Sequence, residues 1–182
     1  MKEFTYEISK YKRGKKEFSP DLKNGKLGEE DMKKFLQTLG FKFISQTIGN
    51  DNSYDLKMSF NDQELRYEIK TDTFGEGKFF SGNLVVEFES RGKPSGLFVT
   101  KAEYFTNFFP FEGEVWNIKT SDLKELLSYL KSLVPPEELY NPKNGTFYIK
   151  ENGGDPNSNT KMCVINKDKF KSHFKVHKVR KI

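Results

Sequence analysis

The sequence predicts a mixed α/β fold: a mixed central sheet flanked by helices, with an α+β extension at the C-terminal end. Three observations predict it. Two neighbouring runs alternate apolar and polar residues with the period of a half-buried strand, and a turn-forming pair joins them. Two other stretches carry apolar residues at helical spacing. Strand and helix signals interleave along the chain, which argues for one mixed sheet with helices against it.

Residues 1–26 are polar and lysine-rich and read as a basic N-terminal arm. Residues 28–39 read as a helix, with Leu27, Met32, Phe35, Leu36 and Leu39 on the apolar side and Gly40 as the stop. Glu29 lies three residues before Met32 and seven before Leu36, so it borders the buried stripe. Glu30 groups with Lys33, Lys34 and Gln37 on the wet side. A strand starts at Phe41 and residues 49–52 turn the chain.

Tyr54, Leu56, Met58 and Phe60 then alternate with Asp55, Lys57 and Ser59. Leu65, Tyr67 and Ile69 alternate with Arg66, Glu68 and Lys70. If Asn61-Asp62 is the whole loop, Phe60 faces Gln63 and Asp55 faces Glu68. A four-residue loop sets Asp55 opposite Lys70 instead, with Glu68 on the diagonal. In either register both carboxylates and the lysine share one face, with Cβ atoms about 4.5–8 Å apart. Two acids that close repel, and a divalent cation removes the cost. Mg²⁺ wants one or two carboxylates and otherwise water or phosphate oxygens.

Residues 73–82 form a loop with Gly75, Gly77 and Gly82, and 84–89 form a strand. The chain turns at 91–96 through Gly92, Pro94 and Gly96. Thr100 and Glu103 read as a capping box for a helix carrying Tyr104, Phe105 and Phe108, ended by Pro110. Residues 115–118 read as a strand. Ser121 reads as the cap of a helix with Leu123, Leu126, Leu127 and Leu130 inward, and Pro135-Pro136 closes that unit. Residues 146–149 and 162–165 read as paired strands around the polar, disorder-like run 152–160. His173 and His177, four apart, read as a surface pair, because zinc needs more ligands and Cys163 is the only thiol.

At 182 residues the chain reads as one domain with a sizeable core. Hydrophobic residues are 35% and aromatics 15%, with 18 phenylalanines, so the core is expected to be built on Phe. The net charge is +5 and is clustered, at 10–16 and 167–181, as phosphate-contacting surfaces often are. The single cysteine excludes an internal disulfide and is compatible with the cytoplasm. The N-terminus is too charged for a signal peptide, and no apolar run reaches membrane-spanning length.

An acid on a first helix, an Asp on a second strand and Glu-x-Lys on a third resemble the PD-(D/E)xK nuclease superfamily. The likeness is to its resolvase-type members: Glu29 in a helix ending at Leu39-Gly40-Phe41, then Tyr54-Asp55-Leu56, then Tyr67-Glu68-Ile69-Lys70. Gly82-Asn83-Leu84-Val85-Val86-Glu87, Lys93-Pro94-Ser95-Gly96 and Thr100-Lys101-Ala102-Glu103-Tyr104 resemble phage-encoded nucleases of this type. The likeness spans roughly residues 27–120, and Tyr54 stands where a proline names the motif.

The resemblance implies a restriction-endonuclease-like sheet, a nuclease core at 27–134 and an extension at 135–182 packed on the same domain. It implies metal-dependent hydrolysis of DNA, with branched DNA such as a Holliday junction among the substrates, and the host cytoplasm as the compartment. Asp55 and Glu68 would hold one or two Mg²⁺ or Mn²⁺, with the backbone carbonyl of Ile69 as a further ligand. Glu29 would serve a second metal or its water, and Lys70 the attacking water or the transition state. Ordinary cross-strand ion pairs are the plainer account of these acids and Lys70. Lys78, Arg91, Lys93, Ser95, Thr100 and Lys101 lie on loops that could grip phosphates, although turn chemistry and a cap also explain Ser95 and Thr100. Asp72 and Glu87 are candidates to flank the site. A homodimer would suit two-strand cutting. The rival reading is a non-catalytic nucleic-acid-binding or assembly module on the same fold.

Overall fold

The computed structural model describes residues 3–12, 18–47, 53–73, 82–152 and 159–182. The first elements are β1 (Thr5–Tyr6), α1 (Phe18–Thr38), β2 (Lys42–Gln46), β3 (Leu56–Phe60) and β4 (Gln63–Thr71). Then come β5 (Asn83–Ser90), β6 (Lys93–Pro94), β7 (Tyr104–Phe109), β8 (Glu114–Lys119) and α2 (Thr120–Leu133). The chain ends with β9 (Phe147–Asn152), β10 (Thr160–Asn166), α3 (Lys167–Phe170), β11 (Lys175–Lys178) and β12 (Arg180–Lys181).

The architecture is mixed α/β. A six-stranded sheet runs β11-β8-β7-β4-β3-β2, and its β4–β7 pair is parallel while its other pairs are antiparallel. A second, four-stranded sheet runs β6-β5-β10-β9. One face of the larger sheet packs Leu56, Met58, Tyr67, Ile69 and Phe108 against Met32, Phe35 and Leu36 of α1. The other packs Phe105, Phe109, Trp116 and Ile118 against the leucines of α2 and the inner face of the second sheet, including Leu84, Val86, Phe147 and Ile165. A parallel pair needs a long crossover. Here the β4-to-β7 crossover contains β5 and β6, which therefore arch back over the end of β4.

The hairpin has the two-residue register. Phe60 pairs with Gln63 and Leu56 with Tyr67. Asn61 and Asp62 both adopt positive φ, +48° and +62°, as the tight turn that matches strand twist requires.

Several elements differ from these expectations. Helix α1 begins at Phe18 rather than at residue 28. Gly28 lies inside it because the helix crosses β4 so closely that a Cβ there would sit 1.8 Å from Thr71 Oγ1. Residues 104–109 are a strand, not a helix. Their aromatic run is buried on both faces of the sheet, a pattern that period alone does not separate from a buried helix. Thr100 and Glu103 make other bonds: Glu103 accepts from the Arg66 backbone N–H at 2.6 Å and from Arg66 Nε at 3.0 Å. The expected helix at Ser121 forms as α2, but Lys119 occupies its N-cap and makes no side-chain cap bond. Of the expected surface pair, His173 is exposed, whereas His177 is half-buried in β11 against the Phe35 ring.

Residues 3–12 pack against the core instead of extending from it. Phe4, Tyr6 and Tyr11 are buried, and Asp31 of α1 accepts from Lys10 at 2.7 Å and from Tyr11 at 2.6 Å. The basic C-terminal segment is also partly internal. Buried Lys167 pairs with Glu112 and Glu114, and Lys178 pairs with Glu114. The expected C-terminal hairpin forms, with Phe147 opposite Ile165, and β10 also pairs with β5.

Candidate active site

Leu56 and Met58 of β3 point into the α1 side of the core, so Asp55 belongs to the opposite face. On β4 the same alternation buries Tyr67 and Ile69 on the α1 side and sends Glu68 and Lys70 to the other face. The three residues meet where β3 begins. Asp55 accepts the Ile69 backbone N–H at 2.6 Å through Oδ2. Its Oδ1 makes no hydrogen bond among the described residues. In an antiparallel pair a residue turns its N–H and C=O to the same side, so the Ile69 carbonyl faces Asp55 too.

Glu68 is buried, with 7% of its surface exposed. Its Oε1 lies 2.6 Å from Lys70 Nζ, and its Oε2 accepts from Thr100 Oγ1 at 2.9 Å. Burial pushes the Asp55 carboxyl up to about 7, and the neighbouring charges of Glu68 and Glu29 add to the rise. Lys70 and the Ile69 N–H pull the other way without cancelling it. Burial disfavours the charged form of Lys70, but Glu68, Asp55 and Glu87 outweigh it and hold the ammonium above its ordinary value. Lys70 is therefore a fixed cation near neutral pH.

These groups line a cleft of about 740 Å³. Glu29 and Glu30 both border it, but differently. Glu29 Oε2 accepts from Gln46 Nε2 of β2 at 2.7 Å, while Glu30 pairs with Lys33 one helical turn on. Glu87 enters from the facing second sheet, not from a hydrogen-bonded neighbour of β4, and its carboxylate accepts from Ser95 Oγ. Asp72 lies farther along, in an adjoining cleft that shares Lys70 and Glu87.

The loop residues separate. Ser95 borders the cleft. Thr100 does not face solvent; it is 7% exposed and holds Glu68. Arg91 and Lys93 are exposed at the β5–β6 hairpin. Lys101 is exposed in a different groove, with Glu103, Lys119 and Lys124. Lys78 lies outside the described residues. Lys26, Gln46 and Thr47 border the main cleft and carry no motif that would have singled them out. The polar end of β2, after Phe43 and Ile44, is the only signal for Gln46.

The donor set suits a hard divalent cation: two carboxylates, one with an unbonded oxygen, beside a backbone carbonyl. Among the described residues no three acid, His or Cys side chains cluster closely enough to hold a metal between them. Glu29 therefore stands a step outside the Asp55–Glu68 pair.

No protein-family model matches the chain, and no curated protein matches it. Among solved structures it is similar to a bacterial homing endonuclease, I-Ssp6803I, at 15% identity and a TM-score of 0.43. The match covers 54% of this chain and 68% of that one. Overlap this low assigns neither family nor activity. No helix among the described residues is long and apolar enough to cross a membrane.

Proposed function

We propose that the chain is a Mg²⁺-dependent DNA endonuclease, as the PD-(D/E)xK likeness implies, with Mn²⁺ as an alternative metal. One observation carries the reading. Asp55, Glu68 and Lys70 converge on one cleft, and among the described residues Asp55 keeps a carboxylate oxygen unbonded beside a second acid. A sheet gains nothing from two adjacent acids, whereas a cation site needs them.

Asp55 and Glu68 would hold the metal, with the Ile69 carbonyl beside them. Bound there, Mg²⁺ would lower the pKa of water and offset charge on the scissile phosphate. Lys70 supplies positive charge to the phosphate as it becomes more negative; being held protonated, it is a stabiliser rather than a base. Thr100 fixes the Glu68 carboxylate from behind. Glu29, anchored by Gln46, orders the approach from the α1 side. Arg91 and Lys93 at the β5–β6 hairpin, and Lys101 in its separate groove, would provide phosphate contacts outside the cleft.

The binding-module reading draws on the Glu68–Lys70 ion pair, which needs no metal. Cleavage of a labelled duplex and a four-way junction separates the two. The panel takes Mg²⁺, Mn²⁺, Ca²⁺ and excess EDTA. Cleavage is expected with Mg²⁺ or Mn²⁺ and not with Ca²⁺, whose looser coordination activates water less well. Full cleavage in EDTA would end the metal assignment, and no cleavage in any arm would favour the module. The junction arm tests the preference for branched DNA, and a sedimentation run tests the homodimer that two-strand cutting would suit.

A further inference from the structure

The second cleft, about 500 Å³, opens directly from the first and shares Lys70 and Glu87 with it. Its far wall is the outer face of the second sheet. Strand register places Val85 beside Val164 and Val164 beside Tyr148, and in the next row Glu87 beside Met162 and Met162 beside Lys150. The wall therefore offers an aromatic ring, a thioether and apolar branches, with a lysine at the edge. Its near wall is the β4–β7 pair, where Lys70 stands opposite Asn107. Asn107 is 3% exposed, and its Nδ2 has no hydrogen-bond partner among the described residues. A buried amide donor without a partner costs about 1–3 kcal/mol. Nδ2 is itself shut off from solvent, so a ligand acceptor in this cleft would remove that cost once the Asn107 side chain turns its amide outward.

An apolar wall carrying one aromatic ring opposite an unsatisfied amide matches a nucleobase, which stacks through its face and hydrogen-bonds through its edge. A phosphate fits poorly, because Glu87 and Asp72 also line the space. We infer that the second cleft receives one unpaired nucleobase, from the nucleotide next to the scissile phosphate, with Tyr148 as the stacking surface and Asn107 reading the base edge. The inference rests on the endonuclease reading for the identity of the polymer. It adds that the substrate presents a base outside the helix. Extruding a paired base costs a few kcal/mol, and a bulge or branch point has already met that cost.

The test uses the full chain, with Ca²⁺ in place of Mg²⁺ for binding. Fluorescence anisotropy compares a paired duplex, the same duplex with a one-nucleotide bulge, and the bulge with an abasic sugar. The wild type should bind the base-containing bulge roughly 10-fold or more tighter than the other two, within the range of base–aromatic stacking. Tyr148→Ala should lose that preference while keeping its affinity for the paired duplex, and Tyr148→Phe should keep it. A 2-aminopurine in the bulge should be quenched by the wild type and not by Tyr148→Ala. Equal affinity for the base and abasic bulges, or a preference that survives Tyr148→Ala, would overturn the inference. Asn107→Asp and Asn107→Ala, checked by circular dichroism, should change which base is preferred without abolishing paired-duplex binding. Cleavage in Mg²⁺ on the same oligonucleotides is read separately. Cleavage without base preference sinks the subsite alone. Base preference without any cleavage sinks the endonuclease reading alone.

Discussion

Lys70 is where chemistry and simple binding diverge most. Its ammonium is held charged by Glu68, so its effect is electrostatic. Stabilisation confined to the transition state raises the rate without tighter ground-state binding. Lys70→Ala should therefore lose roughly 10²-fold or more in single-turnover cleavage, as the loss of one preorganised donor does. Its DNA affinity should stay close to wild type. Wild-type cleavage by that variant would remove Lys70 from the chemistry. Glu29→Gln should impair cleavage more than Glu30→Gln, because Glu29 is fixed by Gln46 toward the acids whereas Glu30 is taken up by Lys33. The reverse order would mean that the α1 face turned to the cleft has been misassigned.

Asp55 gives a pH signature. Burial first and Glu68 second raise its carboxyl to about 7, from an ordinary 3.8. In the metal-free protein the folded state then binds this proton more tightly than the unfolded state does. The unfolded chain releases it at about pH 4 and the folded chain at about pH 7, so stability falls as pH rises across that window and is level above it. Asp55→Asn should abolish this fall and melt higher than wild type at pH 8 without metal. Mg²⁺ affinity of the wild type should rise about tenfold per pH unit up to about pH 7 and then flatten, because the ion displaces the proton. Thermal melts from pH 4 to 8, with and without Mg²⁺, check both. Parallel curves for the two proteins would place the pH dependence elsewhere.

At the scale of elements, the site depends on how closely α1 crosses β4. Gly28→Ala would gain roughly 1 kcal/mol of helix propensity in isolation. The added Cβ, however, would meet Thr71 Oγ1 at 1.8 Å, and overpacking of that kind costs about 1–3 kcal/mol. The clash should win, so urea denaturation should show a net loss of stability. Gly28→Ala combined with Thr71→Ala should recover part of it, since Thr71 Oγ1 has no hydrogen-bond partner among the described residues, while a 2.9 Å approach to the Cβ of residue 71 remains. A stabilised single variant would show that the helix moves off the strand freely. Gly96 is a second tight point. Its φ is +50° and a Cβ there would lie 2.4 Å from the Glu87 carbonyl, which fixes the crossover over Glu68.

For the whole molecule, the net charge of +5 overstates the free positive surface. Lys10, Lys167 and Lys178 are committed to acids within the fold. The exposed Lys93, at the β5–β6 hairpin, and Lys101, in the groove with Glu103, are better placed to meet a backbone. Changing both to Ala should weaken DNA binding. It should also make the slope of log K against log salt shallower by about 1.8, the release expected for two phosphate contacts on a duplex. Mg²⁺ binding should be unchanged. An unaltered slope in a salt titration would assign both lysines to ordinary solvated surface.

The sequence by itself determined the hairpin, because strict alternation and Asn61-Asp62 leave few registers open, and every open register joins Asp55, Glu68 and Lys70. It also determined α2 and the β9–β10 pair, whose patterns are local. The start of α1 was not legible, since Gly28 serves a tertiary contact with Thr71 that no local signal announces. The strand at 104–109 was hidden because a doubly buried segment loses the alternation that marks strands. Thr100 changed from a presumed helix cap to the support of Glu68 for the same reason: its partner is 32 residues away in sequence. The second cleft exists only because β9 and β10 dock on β5 and carry Tyr148 and Lys150 to the edge of the site. Local period and turn chemistry settle which residues share a face. Which faces then meet is decided by packing between distant segments, and that requires the folded chain.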